Sequence, residues 1–171
     1  MLIRENLKTR LKDMELFARI LEIEPFDMYL IGGSVSILGG YSNRGTRNFD
    51  FIDLNYPSKL GRVFRILGTF NFLEFESTIL SPSYPKRAKK LKDYRYLNIL
   101  IYILAPEDLI VSKIIRLSKK DQSDIEILLK KSNPGVINEI INEVLAREDL
   151  MKTKKEGFIE KLKFFKEKFD V

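Results

Sequence analysis

Hydrophobic positions along the chain change period several times, and each change marks an element. Over residues 2–23, Leu7, Leu11, Met14, Phe17, Ala18 and Leu21 recur at spacings of three and four. That is one apolar stripe on a helix, with charges on its other faces. Pro25 ends it. Residues 27–31 (DMYLI) read as a short apolar strand, followed at once by Gly32-Gly33-Ser34. Residues 34–39 predict one or two helical turns entered through the glycines. A polar loop over 41–47 leads to a second strand over 48–54, closed by Asn55 and Pro57. Residues 57–67 predict a helix with Pro57 near its first turn, broken by Gly68. Residues 70–75 and 77–80 read as one or two strands. Residues 81–93 carry Pro82, Pro85 and five basic residues and read as a mobile basic loop. Residues 94–104 (YRYLNILIYIL) give the strongest strand signal, long enough to be central in a sheet. Ala105-Pro106-Glu107-Asp108 opens a helix to about Ser118, and further helices follow over roughly 121–131, 134–147 and 152–169. The order predicts an α+β fold: a core over 1–104, then a helical region over 105–171 packed on it.

At 171 residues the chain suits one domain with a helical appendage. Its 44% hydrophobic and 32% charged residues describe a globular protein. Thirty basic residues against 24 acidic ones leave a net charge of +6, which favours anionic partners such as nucleotides, RNA or DNA. The absences narrow the chemistry further. Without Cys there is no disulfide, thiolate zinc site or cysteine nucleophile; without His there is no imidazole base. Carboxylates, lysines, hydroxyls and a hard cation such as Mg²⁺ remain. No apolar run reaches the roughly 18–20 residues of a membrane span, and MLIRENLKTR is a charged amphipathic stretch unlike a signal peptide. A cytoplasmic protein with no membrane partner is the expectation.

The candidate chemistry lies between Leu30 and Asp53. Gly32-Gly33-Ser34 at a strand end leaves backbone N–H groups uncovered, lets a phosphate approach closely and adds a hydroxyl donor. The same residues would also serve as a tight strand-to-helix turn without a ligand. On the following strand, alternation puts Asn48 and Asp50 on one face and Phe49 and Phe51 on the other.

These residues resemble the nucleotidyltransferase superfold, the polymerase-β-like family, whose pattern is an apolar strand, Gly-Gly or Gly-Ser, a short helix and then Asp-x-Asp. The resemblance is closer to small prokaryotic proteins related to the nucleotidyltransferase toxins of abortive-infection systems. It rests on Arg44-Gly45-Thr46-Arg47-Asn48-Phe49-Asp50-Phe51, on Ala105-Pro106-Glu107-Asp108-Leu109-Ile110 with Lys113, and on Lys119-Lys120-Asp121-x-x-Asp124. It implies a small mixed sheet with flanking helices that binds a nucleoside triphosphate or an RNA end. Gly32, Gly33, Ser34, Arg44, Thr46, Lys113, Arg116 and Lys120 are the nucleotide-binding candidates it implies. Asp50, Asn48 and Asp53 are the catalytic candidates, with Asp50 and Asn48 as ligands for Mg²⁺.

The sequence departs from that pattern where the acids should be. Asn48 stands in place of the first metal-binding Asp, and the third acid, expected near Asn98 or Tyr102, is missing. Asp53 faces away from Asp50 in a regular strand and reads also as a turn residue. Lys113, Arg116 and Lys120 share a helix face, which serves either a phosphate or solvent, and Asp121 and Asp124 are placed to pair with it. Two other readings stand beside magnesium-dependent transfer to a hydroxyl. One is a catalytically degraded member that acts by binding, with a protein partner as in a toxin–antitoxin pair. The other is a nucleic-acid-binding module built on residues 86–92, their flanking tyrosines and the basic C-terminal helix.

Overall fold

The computed structural model describes residues Met1–Val171, which form two compact units. The first comprises residues 1–74 and 88–104; the second comprises residues 75–87 and 105–171.

The first unit is a mixed five-stranded sheet with helices. Helix α1 (Arg4–Ile20) begins where the Asn6 side chain accepts the Ile3 N–H, and it buries Leu7, Leu11, Met14, Glu15 and Ala18. Strand β1 (Phe26–Ile31) runs directly into α2 (Gly32–Leu38), and β2 (Phe49–Ile52) returns antiparallel beside β1. Residues 58–67 are helical, but only Gly61–Phe64, α3, is α-helix; turns of 3-10 helix flank it. Gly68, at φ +80°, ends that segment, a conformation a side chain would resist. Strands β3 (Phe70–Leu73), β4 (Lys89–Lys90) and β5 (Ile99–Ile103) complete the order β3-β2-β1-β5-β4. The β1–β5 and β2–β3 pairs are parallel; β1–β2 and β4–β5 are antiparallel.

Alternation gives this sheet two unlike faces. Met28, Leu30, Phe49, Phe51, Ile99 and Ile101 are wholly buried on one of them. There Phe64 of α3 meets Phe51 at 5.0 Å and Phe26 at 5.8 Å between ring centroids. The opposite face carries Asp27, Tyr29, Ile31, Asp50, Asn71, Tyr102 and Lys90, each half-buried or exposed, together with Ile52, which is wholly buried.

The second unit is helical: α4 (Tyr84–Arg87), α5 (Pro106–Ile114), α6 (Lys119–Leu129), α7 (Pro134–Leu145) and α8 (Lys152–Phe169). Helix α5 packs against α6, α7 and α8. The last buries Phe158, Leu162 and Phe165; its Lys154 and Lys155 donate to the carbonyls of Ser77 and Arg147, while Lys152, Lys161, Lys163, Lys166 and Lys168 are exposed.

Three sequence-based expectations fail for identifiable reasons. Residues 77–80 are not a strand, and residues 81–93 are not a mobile loop. Arg147 donates to the carbonyls of Thr78 (2.8 Å), Leu80 (2.9 Å) and Phe75 (3.1 Å), which pulls that segment out of any ladder. Arg87 makes a two-pronged pair with buried Asp108 at 2.8 Å, and Glu143 accepts from Ser81 and Ser83. Lys89 and Lys90 then form the edge strand. The long strand is likewise shorter than its run of β-formers. Leu97 and Asn98 give their N–H groups to the buried carboxylate of Glu15, so pairing of β5 begins only at Ile99. It lies inside the sheet but next to the edge, and β1 is the central strand.

Glu15 is the polar linchpin of this unit. Glu15→Ala would leave two partly buried backbone donors without their carboxylate, and we expect a loss of about 1–3 kcal/mol, measured as a lower denaturant midpoint with unchanged slope.

Candidate functional site

Ile31, the last residue of β1, lies opposite Asp50 of β2. That register brings the Asp50 side chain over the turn into α2. Gly32 adopts φ +73°, and a Cβ built on it would lie 2.8 Å from Asp50 Oδ2. Glycine is therefore required twice at this position, by its backbone angle and by the neighbouring carboxylate. Gly33 is exposed and stands in the same relation to Thr46, whose Oγ1 would lie 2.8 Å from an added Cβ. The loop that carries Thr46 is pinned by reciprocal backbone hydrogen bonds with Leu2 of 2.6 and 2.9 Å. Thr46 itself donates to the Asn48 carbonyl at 3.3 Å. Bare backbone, Thr46 and Asp50 thus meet at one corner.

The other candidates fall into two groups. Ser34 is buried and donates its hydroxyl to the Ile31 carbonyl at 3.3 Å, within the turn itself. Arg44 is exposed on the loop beside that corner, and Asn48 is half-buried just before β2. Asp53 accepts the Asn55 N–H at 2.8 Å and donates its own N–H to Leu73, so it shapes the turn after β2. Lys113, Arg116 and Lys120 belong to the second unit. There Arg116 forms a fork of two 2.6 Å bonds to Asp121, and Lys113 lies 3.3 Å from Asp124. Lys120 is exposed. Asp121 also closes a capping box with Ser118 at the start of α6.

One residue that the sequence reading passed over belongs to the corner. Asn71 of β3 stands opposite Asp50 and donates from Nδ2 to Oδ1 at 3.0 Å. Its signal was present in the alternation of Phe70-Asn71-Phe72, which matches that of Phe49-Asp50-Phe51, but only the β2–β3 pairing brings the two polar positions together. Amides therefore stand at Asn48 and Asn71, and nowhere does the structure gather three acidic groups able to cage a metal. Neither position proposed for a third acid supplies one. Asn98 donates to the Ile23 carbonyl at 2.5 Å, and Tyr102 lies on β5, two strands from Asp50. A recess of about 290 Å³ at the opposite end of β1 and β2, lined by Phe26, Asp27, Tyr56 and Lys59 among others, contains none of these residues.

A Gly-Gly turn between a strand and a short helix, with an acid of the antiparallel neighbour laid over it in a mixed sheet, defines a nucleotidyltransferase-like protein. Residues 5–168 match the family described as nucleotidyltransferase of unknown function (DUF6036), and the chain belongs to that family. No curated protein and no solved structure matches it.

Two predictions follow from this geometry. Gly32→Ala forces a side chain into the left-handed region and against Asp50; we expect about 1–2 kcal/mol of destabilisation, read by thermal or denaturant unfolding. The second concerns pH. Burial alone would raise the Asp121 carboxyl, but the Arg116 fork and the Ser118 hydrogen bonds outweigh it and bring it down from 3.8 to about 2. A lowered folded value stabilises the protein above pH 4, and that contribution is lost as pH falls from about 4 towards 2. Because Arg116 is largely exposed, we expect about 1–2 kcal/mol. Asp121→Asn should flatten this part of the stability curve.

Proposed function

We propose that the protein binds a nucleoside triphosphate at the Gly32–Gly33 corner beside Asp50 and acts through that binding, without two-metal transfer chemistry. Family membership supports a nucleotide ligand. The observation that carries the rest is the donor set. Two-metal transfer uses several carboxylates to hold a pair of ions against the attacking and leaving oxygens. Here one carboxylate meets the corner, and Asn71 already occupies its Oδ1. These residues do not fit a two-metal site, and we assign no transfer step to them.

They do suit a triphosphate that arrives with its own Mg²⁺. Such ions keep several waters and need only one or two protein carboxylates besides the phosphate oxygens. Asp50 Oδ2 and the Asn48 amide oxygen are the donors nearest the corner in chain and strand order. The bare backbone at Gly32 and Gly33 lets phosphate approach, and Thr46 and Arg44 border it. The resemblance to abortive-infection toxins makes a protein the second candidate partner, one for which nucleotide occupancy would be the signal.

Calorimetric titration with nucleoside triphosphates, with and without Mg²⁺, tests this reading. The wild type should bind more tightly with Mg²⁺. In Asp50→Ala that advantage should shrink about tenfold, the loss of one charge-assisted contact, while metal-free binding is kept. Incubation with α-labelled nucleotides and RNA or protein acceptors should transfer no label. Magnesium-dependent labelling that Asp50→Ala abolishes would overturn the binding-only reading and establish transfer.

A further inference from the structure

We propose that the outer edge of β3 pairs antiparallel with the same edge of a second copy of this chain, joining the two sheets across a two-fold axis at Asn71. Strand β3 ends the sheet, and no strand lies beyond it. Thr69 and Leu73 give their carbonyls to the N–H groups of Phe49 and Asp53 at 3.1 and 2.8 Å. Alternation therefore turns the N–H and C=O groups of Phe70 and Phe72 outward. Side chains mark the same edge. Phe72 is 49% exposed and Leu73 36%, yet Phe72 continues the aromatic layer of Phe51 and Phe70, at 5.9 and 6.2 Å between ring centroids. The sheet's other edge is guarded against pairing: β4 is two residues long, and both are exposed lysines. Residues 68–73 carry no charge and no proline, so β3 lacks any such guard.

The register makes the occupant a second copy. With Asn71 opposite the partner's Asn71, Phe70 exchanges both backbone hydrogen bonds with the partner's Phe72, and Phe72 does so with the partner's Phe70. The outward groups of both residues are then met. The same pairing sets each exposed Phe72 ring against the partner's Phe70, a favourable cross-strand aromatic pair. Leu73 falls opposite the partner's Thr69. The charges complement as well. Glu74, just past the strand, falls opposite the partner's Gly68, and the Arg10 guanidinium lies against Gly68 and donates to the Leu67 carbonyl at 2.6 Å. No like charges meet, whereas β4 against β4 would oppose lysines. Pairing of like edges is isologous and closes at a dimer; β3 against β4 would leave an edge free at each end and extend without closing. The axis also passes beside the candidate site. Asp50 lies opposite Asn71, so the two Asp50 positions would share one face of the joined sheet roughly 14 Å apart, three strand spacings.

Sedimentation velocity of the full chain over about a hundredfold range of concentration tests this. The wild type should pass from monomer to dimer and no further. Phe72→Lys places on β3 the guard that β4 carries, and should stay monomeric throughout with the circular dichroism of the wild type. The chain has no cysteine, so Asn71→Cys gives an independent test. Residues facing each other in a non-hydrogen-bonded pair lie about 4.5 Å apart at Cα, within disulfide reach. Under mild oxidation Asn71→Cys should cross-link into a covalent dimer far faster than Lys90→Cys at the other edge. A wild type that stays monomeric, a dimer that survives Phe72→Lys, or filaments in place of dimers overturns the proposal. So does cross-linking of Asn71→Cys no faster than that of Lys90→Cys, and this comparison decides alone if Phe72→Lys does not fold.

Discussion

One backbone register governs the candidate site: Ile31 of β1 against Asp50 of β2. Side chains alternate along a strand, so a slip of one residue would turn Asp50 into the aromatic layer and Phe49 or Phe51 outward. The two phenylalanines prevent that slip, since both are wholly buried and Phe51 packs on Phe64, Phe70 and Tyr56. The core thus positions an acid that takes no part in it. Once Asp50 is held there, residue 32 has no room for a Cβ, and the chain turns into α2 through a left-handed glycine. Apolar packing, strand register and bare backbone are successive consequences of one arrangement.

The same arrangement shows why fold and activity need to be argued apart. The strand-turn-helix unit and the neighbouring strand are those of a nucleotidyltransferase. The electrostatics are not those of a two-metal centre. Asn48 supplies an amide where the resemblance implies the first acid, and Asn71 of the neighbouring strand donates a hydrogen bond to the remaining acid. An amide donor satisfies Asp50 in a way that a second carboxylate would do only if protonated, because like charges at that distance repel.

The sequence showed most of the fold, since its elements follow local rules. The stripe of α1, the alternation in Asn48-Phe49-Asp50-Phe51 and the prolines that open α5 and α7 act within a few residues. What it concealed depends on partners far along the chain. Arg147 holds the carbonyls of residues 75–80, Asp108 holds Arg87, and Glu15 takes two donors that would otherwise extend β5. Each is a charged group that periodicity assigns to the surface and that burial turns into a fastening. The candidate site divides in the same way. Gly32, Gly33 and Asp50 were legible because they are close in sequence; Asn71 needed the strand order. The β-forming run over 94–104 suggested a central strand, yet nothing local indicates that its neighbour β4 is only two residues long.

Net charge carries a related lesson. A surplus of +6 suggests free cations for a polyanion, yet several of the strongest basic groups are already committed. Arg87 and Arg116 fork onto Asp108 and Asp121, both buried, and Arg147 is spent on three carbonyls and Asp149. A buried carboxylate left without its cation is costly, so these arginines cannot be lent to a phosphate without destabilising the second unit. The proposed nucleotide site therefore draws on two other features of the first unit: backbone at Gly32 and Gly33 that phosphate could approach closely, and the Asp50 carboxylate, which could meet a metal carried by the ligand.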